Sequence, residues 1–380
     1  MEHRIYFSVC GEGYGHSSRA ISIASKLESK GAHILMGSYG YALERLKTFY
    51  PAVNIKKEFE MMAKEGAFDL KATLLQSKNS ALNYSGIISG EKKAMEEFSA
   101  TCVVSDGRIA PVLAAFKLGL PCVVISNQTS VESFFRESSF LVHLLGKPVE
   151  FSLKTSMEFA EVVLIPDFPP PHTVCLDSLS KSRHVMKKQV FTGPIVAEKY
   201  ETPTKEPDVK NPCIMTVLSG HEFSIPVFNG ILSAAHRFPE AEFIVFAKFE
   251  SKNIPQNVRL MGFRDDLSSY MNSADLIITQ AGHSTAMEIM TIGKPALIIP
   301  IKGQVEQENN ALRLKTLGIC EILDYQSLDP ENFYSKIKSL LTDTHFRESS
   351  RFYSEMALNM KGSRTAAEII LGLSGKIQCY

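Results

Sequence analysis

The stretch Ala274-Asp275-Leu276-Ile277-Ile278-Thr279-Gln280-Ala281-Gly282-His283-Ser284-Thr285-Ala286-Met287-Glu288 decides how this chain folds. Leu276-Ile277-Ile278 is a short apolar run of the kind found in a parallel strand covered on both faces. Gly282 ends the run where the backbone must turn, which places it at a strand's carboxyl end. His283, Ser284 and Thr285 then fall in the first turn of a helix. Unpaired backbone N–H groups and the positive end of the dipole there suit a pyrophosphate, and the hydroxyls add donors. Glu288 lies one turn on, on the face of Ser284 and Thr285, where a carboxylate can accept both hydroxyls of a ribose. An ordinary helix cap, with Glu288 completing a capping box, accounts for this first cluster equally well.

A second cluster separates the two accounts. After the next apolar run, Ala296-Leu297-Ile298-Ile299-Pro300, the chain delivers Gln304, Glu306, Gln307, Asn309 and Asn310 at the mouth of another helix. Amide and carboxylate side chains of this type suit neutral sugar hydroxyls. One such loop alone reads as solvated surface; two polar clusters following adjacent strands read as a site.

In the other half, Arg4-Ile5-Tyr6-Phe7-Ser8-Val9 leads into Cys10-Gly11-Glu12-Gly13-Tyr14-Gly15-His16. With this glycine-rich turn and the 274–311 pattern, the chain resembles the nucleotide-sugar glycosyltransferases of GT-B fold, of the MurG-like, family 28 type. Cys10 and Tyr14 stand where that family often has glycine. The segments Val103-Val104-Ser105-Asp106-Gly107-Arg108 and Val124-Ile125-Ser126-Asn127-Gln128 look like an uncharacterised branch of the superfamily rather than MurG itself. The resemblance implies an α/β chain of two Rossmann-like doubly wound domains facing a central cleft, with ligand bound between them. It implies donor contacts from Gly13, Gly15, Gly282, His283, Ser284 and Thr285, and a ribose-binding role for Glu288. It further implies sugar contacts from Gln307 and Glu306, and a second phosphate-facing loop at Ser219-Gly220-His221. Phe263 and Arg264 resemble the segment whose backbone reads the uracil edge, hence a UDP-sugar. Where the family places an arginine near the phosphates this chain has Val196, leaving Lys199 or the helix dipoles to serve.

Length and composition agree with two domains. The 380 residues, 44% of them hydrophobic, fit two cores of roughly 190 residues each. The expected divisions are an acceptor domain over 1–195, a donor domain over 196–361, and a helix over 362–380 that the resemblance packs back on the first domain. A proline-rich, charged linker is expected over 194–211. Zero net charge, spread without long runs, argues against a nucleic-acid partner. Seven cysteines without Cys-x-x-Cys spacing suggest a reduced, cytoplasmic chain with no zinc site. The first apolar run stops at Gly11, too short for a signal peptide's core, and no stretch approaches the roughly 20 apolar residues that span a bilayer.

Strands are expected near 4–10, 32–37, 53–58, 101–105, 121–126, 162–165 and 189–192, then near 213–218, 242–247, 258–261, 275–279, 295–299 and 319–323. Residues 60–95 and 128–160 fit the alternation least. Within the second, Phe134-Phe135-Arg136, Phe140-Leu141-Val142-His143-Leu144-Leu145 and Lys147 form an apolar run with basic edges. It reads either as a buried helix beside a solvated loop or as a peripheral contact with the inner face of a membrane that receives a lipid-linked acceptor.

Glycosyl transfer needs an activated hydroxyl, an anomeric carbon held in line, and charge stabilised on a departing diphosphate. His16, opening a helix after the glycine turn, suits the first task. Asp106, ending a buried strand, is its rival or its partner; capping the following helix is its ordinary alternative. No Asp-x-Asp triplet occurs, so no essential metal and no further cofactor are expected, and the MurG-like pattern implies inversion. Two other readings stay open: a UDP-N-acetylglucosamine 2-epimerase, with His16, Asp106, His221 and His283 as acid–base groups, and a catalytically idle nucleotide-sugar binding protein. A dehydrogenase is disfavoured, since the 11–16 turn lacks Gly-x-Gly-x-x-Gly spacing and no acidic residue ends the second strand.

Overall fold

Apolar β-rich segments alternating with helical ones can bury both faces of every strand only in a parallel sheet covered on each side. The computed structural model has this arrangement twice. It describes residues 2–12, 14–58, 63–64, 67–68, 83–132, 140–202, 204, 208–218, 224–262, 264 and 266–375; side chains at 63–64, 67–68, 140–146 and 148–149 lie outside the description. The first sheet contains β1 (Arg4–Val9), β2 (His33–Ser38), β3 (Ala52–Asn54), β6 (Cys102–Asp106), β7 (Cys122–Ile125), β8 (Val162–Ile165) and β9 (Gln189–Phe191). Its order is β3-β2-β1-β6-β7-β8-β9. The second contains β10 (Cys213–Val217), β11 (Glu242–Phe246), β12 (Val258–Met261), β13 (Leu276–Thr279), β14 (Ala296–Ile298) and β15 (Cys320–Ile322), in the order β12-β11-β10-β13-β14-β15. Every pairing in both sheets is parallel.

All thirteen expected strands are present in these two sheets. The largest difference is β3, expected over 53–58 and found only over Ala52–Asn54. Its neighbour β2 ends at Ser38, opposite Asn54, so no backbone partner remains beyond that residue except the Ile55 N–H, bound to the Ser38 carbonyl. The chain then leaves the edge, and Glu58 turns inward. A short antiparallel pair, β4 (Ala63–Lys64) with β5 (Ala67–Phe68), was not expected.

Two compact units emerge: 1–62, 69–197 and 360–380 form the first, and 63–68 with 198–359 the second. In the first unit Ile5, Phe7 and Val9 face one side, against Ile23, Ala24 and Leu27 of α1 (Tyr14–Glu28). Tyr6 and Val103 face the other, against Met95 of α3 (Tyr84–Phe98), which follows α2 (Gly40–Lys47), and Val112 of α4 (Ala110–Leu118). The helices α5 (Phe140–Phe159) and the single turn α6 (Arg183–Met186) complete the run before 197. The second unit carries the short α7 (Glu198–Glu201), α8 (Ile225–Ala235), α9 (Ser268–Ser273), α10 (His283–Ile292), α11 (Val305–Thr316), α12 (Pro330–Thr342) and α13 (Thr344–Met360). Phe228, Phe243, Ile278 and Phe333 lie at its core. The last helix, α14 (Gly362–Ser374), returns to the first unit, where Ala366, Ala367 and Ile370 join the core beside α1.

Candidate active site

Strand order reverses between β1 and β6 in the first sheet and between β10 and β13 in the second. At such a point successive crossovers leave in opposite directions, opening a crevice at the strands' carboxyl ends. Among the described residues, His16 and Asp106 lie at the first of these places, and His283, Ser284, Thr285 and Glu288 follow β13 at the second.

In the first unit Val9 pairs with Asp106, and the Cys10 N–H donates to the Asp106 carbonyl at 2.9 Å. This register brings the opening turn of α1 onto the end of β6. His16 Nδ1 lies 2.7 Å from Asp106 Oδ1. A carboxylate accepts, so Nδ1–H donates and Nε2 is left as the basic nitrogen of the ring. The expected alternative for Asp106, a helix cap, is not what forms: the N–H groups of Ile109 and Ala110 donate instead to Glu58, at 2.9 and 3.1 Å.

Sequence reasoning missed Arg19. One turn along α1 from His16, it donates through Nε to Asp106 Oδ2 at 2.6 Å and through Nη2 to Oδ1; Nη2 also lies 2.9 Å from His16 Nδ1, a contact of two donors rather than a hydrogen bond when Nδ1–H faces Asp106. Asp106 is fully buried and Arg19 nearly so, whereas the His16 side chain keeps 28% exposure. Burial pushes the Asp106 carboxyl up, but the charges and hydrogen bonds of Arg19 and His16 outweigh it and hold it below the ordinary carboxylate value. The i, i+3 spacing of His16 and Arg19 was visible; its meaning depended on a partner 87 residues away. Gly15 lies in the same first turn, and Gly13 is outside the described residues. Gly107, at φ +70°, lets the chain pass this constellation, since an added Cβ would sit 2.8 Å from His16 Cε1.

Behind it lies a second ionic cluster that the sequence did not suggest. Arg108 Nη2 reaches Glu91 Oε1 at 2.9 Å and Glu58 Oε1 at 3.1 Å, while Glu91 also accepts from Tyr6 and Ser8. Burial raises the Glu58 carboxyl above its ordinary value, despite Arg108. Arg108 Nε and Nη1 and the Tyr84 hydroxyl are buried with no hydrogen-bond partner.

In the second unit Gly282 is the N-cap of α10, with φ −60° and ψ 137° and no side-chain cap. That conformation is open to any residue, and an added Cβ would meet no atom within 4 Å. Neither backbone nor packing therefore demands glycine, and the space beside its Cα is open. His283 is buried, and Ser284, Thr285 and Glu288 are half-buried along the same helix. Arg264 is exposed, and Phe263, Ser219, Gly220 and His221 are outside the described residues. Lys199 pairs with Asp266 at 3.2 Å.

Within the Gln304–Asn310 cluster the expectation for Asn310 needs correction. Gln307 Oε1 accepts from the Ile301 N–H at 3.0 Å, and Glu308, not singled out before, accepts from the Gly303 N–H at 2.9 Å, so both tie down their own loop. Asn310 is buried and donates through Nδ2 to the Ala281 carbonyl at 3.1 Å, which removes it from the surface where a sugar hydroxyl was expected. Glu306 and Asn309 are half-buried.

Comparison with known proteins bears on what these residues serve. Residues 238–367 match the glycosyltransferase family 28 C-terminal domain, and residues 3–173 match a glycosyl transferase family 1 domain. An uncharacterized glycosyltransferase of Methanosarcina mazei is 32% identical over 383 residues, covering 98% of this chain and 99% of its own. The UDP-N-acetylglucosamine--N-acetylmuramyl-(pentapeptide) pyrophosphoryl-undecaprenol N-acetylglucosamine transferase of a Sulfurihydrogenibium species is 23% identical, covering 86% of this chain and 87% of its own. Among solved structures, the glycotransferase of kitacinnamycin superposes with a TM-score of 0.76 at 16% identity, over 98% of this chain and 99% of that one.

Proposed function

Since the chain belongs to the glycosyltransferases, on a GT-B fold with a family 28 carboxyl-terminal half, we propose that it moves a hexose, N-acetylglucosamine first among candidates, from a UDP-sugar to an acceptor hydroxyl with inversion. The observation that carries this reading is the 2.7 Å contact between His16 and Asp106 at the reversal point of the first sheet. Direct displacement at an anomeric carbon requires a base for the acceptor proton, and an imidazole whose Nδ1–H is held by a buried carboxylate offers Nε2 for that purpose.

In the proposed step Nε2 takes the acceptor proton as the hydroxyl oxygen bonds to the anomeric carbon. The bond to the diphosphate oxygen breaks, and its electron pair leaves with UDP. Asp106 stabilises the imidazolium, which returns its proton to water through its exposed edge. The developing charge on the diphosphate is met by the N–H groups and hydroxyls of His283, Ser284 and Thr285 at the start of α10, where Gly282 leaves the approach open. Glu288 takes the ribose hydroxyls. The Sulfurihydrogenibium relative, named for a UDP-N-acetylglucosamine donor, supports the choice of nucleotide. With α10 neutralising the diphosphate, no essential metal and no further cofactor are part of this proposal.

A lipid-linked acceptor, met at the inner face of a membrane, is a further part of the proposal. No helix among the described residues is long and apolar enough to cross a bilayer. On α5 Phe151 is 71% exposed between Lys147 and Lys154, both exposed, which suits a surface contact. The expected membrane-facing residues Phe134, Phe135 and Arg136 are outside the described residues, as are the side chains of residues 140–145.

Calorimetric titration with UDP, UDP-N-acetylglucosamine and UDP-glucose, with GDP as control and Glu288→Ala as the comparison, tests the donor half. Selective uridine binding lost in Glu288→Ala supports the reading, and binding indifferent to Glu288 overturns it. Turnover of UDP-N-acetylglucosamine to an epimer without acceptor would replace transfer with isomerisation.

A further inference from the structure

We infer that Asn310 is a positioning residue that locks the turn presenting the donor helix, rather than a reader of the sugar. The inference rests on the assignment of the α10 N-terminus to the diphosphate. Between the end of β13 and Gly282, Ala281 adopts φ +64°, a left-handed conformation in which an L-residue with a Cβ is strained and glycine is not. Ala281 is completely buried. A non-glycine residue stays in such a conformation only where its surroundings over-determine it, and such residues gather at ligand clamps.

The over-determining contact is visible. Asn310, on α11 and 29 residues further along, is 1% exposed and donates through Nδ2 to the Ala281 carbonyl at 3.1 Å. The left-handed turn aims that carbonyl at α11, and Asn310 is the donor that receives it. The next residue is Gly282, the N-cap of α10, with ordinary dihedrals and open space beside its Cα. If the Ala281 peptide relaxed to a right-handed conformation, the entry angle of α10 would change and its first N–H groups would be re-aimed. Asn310 thus reaches back from one βα unit to fix the turn of its neighbour.

The experiment combines hydrogen exchange of the ligand-free protein with calorimetric binding of UDP and UDP-N-acetylglucosamine, for wild type, Asn310→Ala, Ala281→Gly and the double variant. The lock requires faster exchange in peptides spanning 279–290 of Asn310→Ala, with peptides of β11 unchanged. It also requires UDP itself to bind ~10- to 100-fold more weakly, the size expected for losing a buried hydrogen bond and its desolvation. Ala281→Gly removes the strain, so the double variant should recover at least part of the lost affinity. Asn310→Ser, too short to reach the carbonyl, covers the case in which the alanine variant does not fold.

Unchanged exchange over 279–290 overturns the lock. So does a loss confined to UDP-N-acetylglucosamine with UDP binding intact, which would mark Asn310 as a sugar reader. Should the wild type bind no uridine nucleotide, the donor assignment falls while the exchange comparison still decides whether Asn310 holds the turn.

Discussion

Asp106 and His16 touch each other but differ in what they can lose. His16 keeps part of its ring in solvent, so His16→Ala should lower the melting temperature by only a few degrees while reducing kcat by roughly 10²- to 10⁴-fold, the usual contribution of a general base. Asp106→Asn leaves the buried Arg19 guanidinium without its anion and should cost roughly 3–5 kcal/mol of stability as well as activity. Urea unfolding beside steady-state rates separates the two; an active His16→Ala enzyme would remove the base assignment. Two glycines give a second contrast. Gly282→Ala should leave the unfolding midpoint unchanged and weaken UDP binding by about tenfold or more, because the new methyl meets no protein atom, only the approach to α10. Gly107→Ala should instead destabilise by roughly 1–2 kcal/mol through its positive φ and displace His16. Equal effects on stability from both would contradict the distinction.

Elements were legible where burial alone decides them. The strands β1, β6, β10 and β13 are mostly apolar along their length, as doubly covered parallel strands are, and they were found within a residue or two of their expected bounds. The ionic clusters were not legible, because Arg19 meets Asp106, and Arg108 meets Glu58 and Glu91, only after the sheet has set its order. Neither was the use of Asn310, whose residue type suited a sugar as well as a backbone carbonyl. The Arg108 cluster ties α3 and the start of α4 to β1 through two carboxylates and one guanidinium, and it makes a prediction about pH. Because burial raises Glu58 above its unfolded value of about 4.3, its contribution to stability is fully present below that value and is lost as pH rises through the folded pKa. Glu58→Gln should therefore flatten the decline in stability as pH rises above about 4.3. Urea midpoints for wild type and variant that run parallel as pH rises above about 4.3 would show that Glu58 does not carry this dependence. Asp106 acts with the opposite sign and in a lower window: its depressed carboxyl supports the fold above about 3.9, and that support is lost as pH falls through its folded pKa.

For the whole molecule the decisive feature is that the first unit is discontinuous in sequence. Residues 360–380 belong with 1–62 and 69–197, and α14 lies against α1, the helix that carries His16 and Arg19. Ala366, Ala367 and Ile370 are fully buried in that core. Ser363 Oγ donates to the Val196 carbonyl at 3.1 Å, and Ser374 Oγ lies 2.6 Å from Thr101 Oγ1. Removing residues 362–374 strips from α1 and β6 the helix that packs on them. By the usual values for buried aliphatic groups the loss is about 3–5 kcal/mol, a large fraction of what a domain of this size retains. The damage should fall on the unit that holds the proposed base, although the deleted segment follows the donor unit in sequence. Hydrogen exchange in α1 peptides is expected to accelerate and transfer to fail, while peptides of β10 and β13 stay protected and UDP still binds. If α1 kept its protection after the deletion, α14 would be a dispensable appendage; if UDP binding vanished as well, the two units would depend on each other for folding, and a site assignment made unit by unit would have to be abandoned.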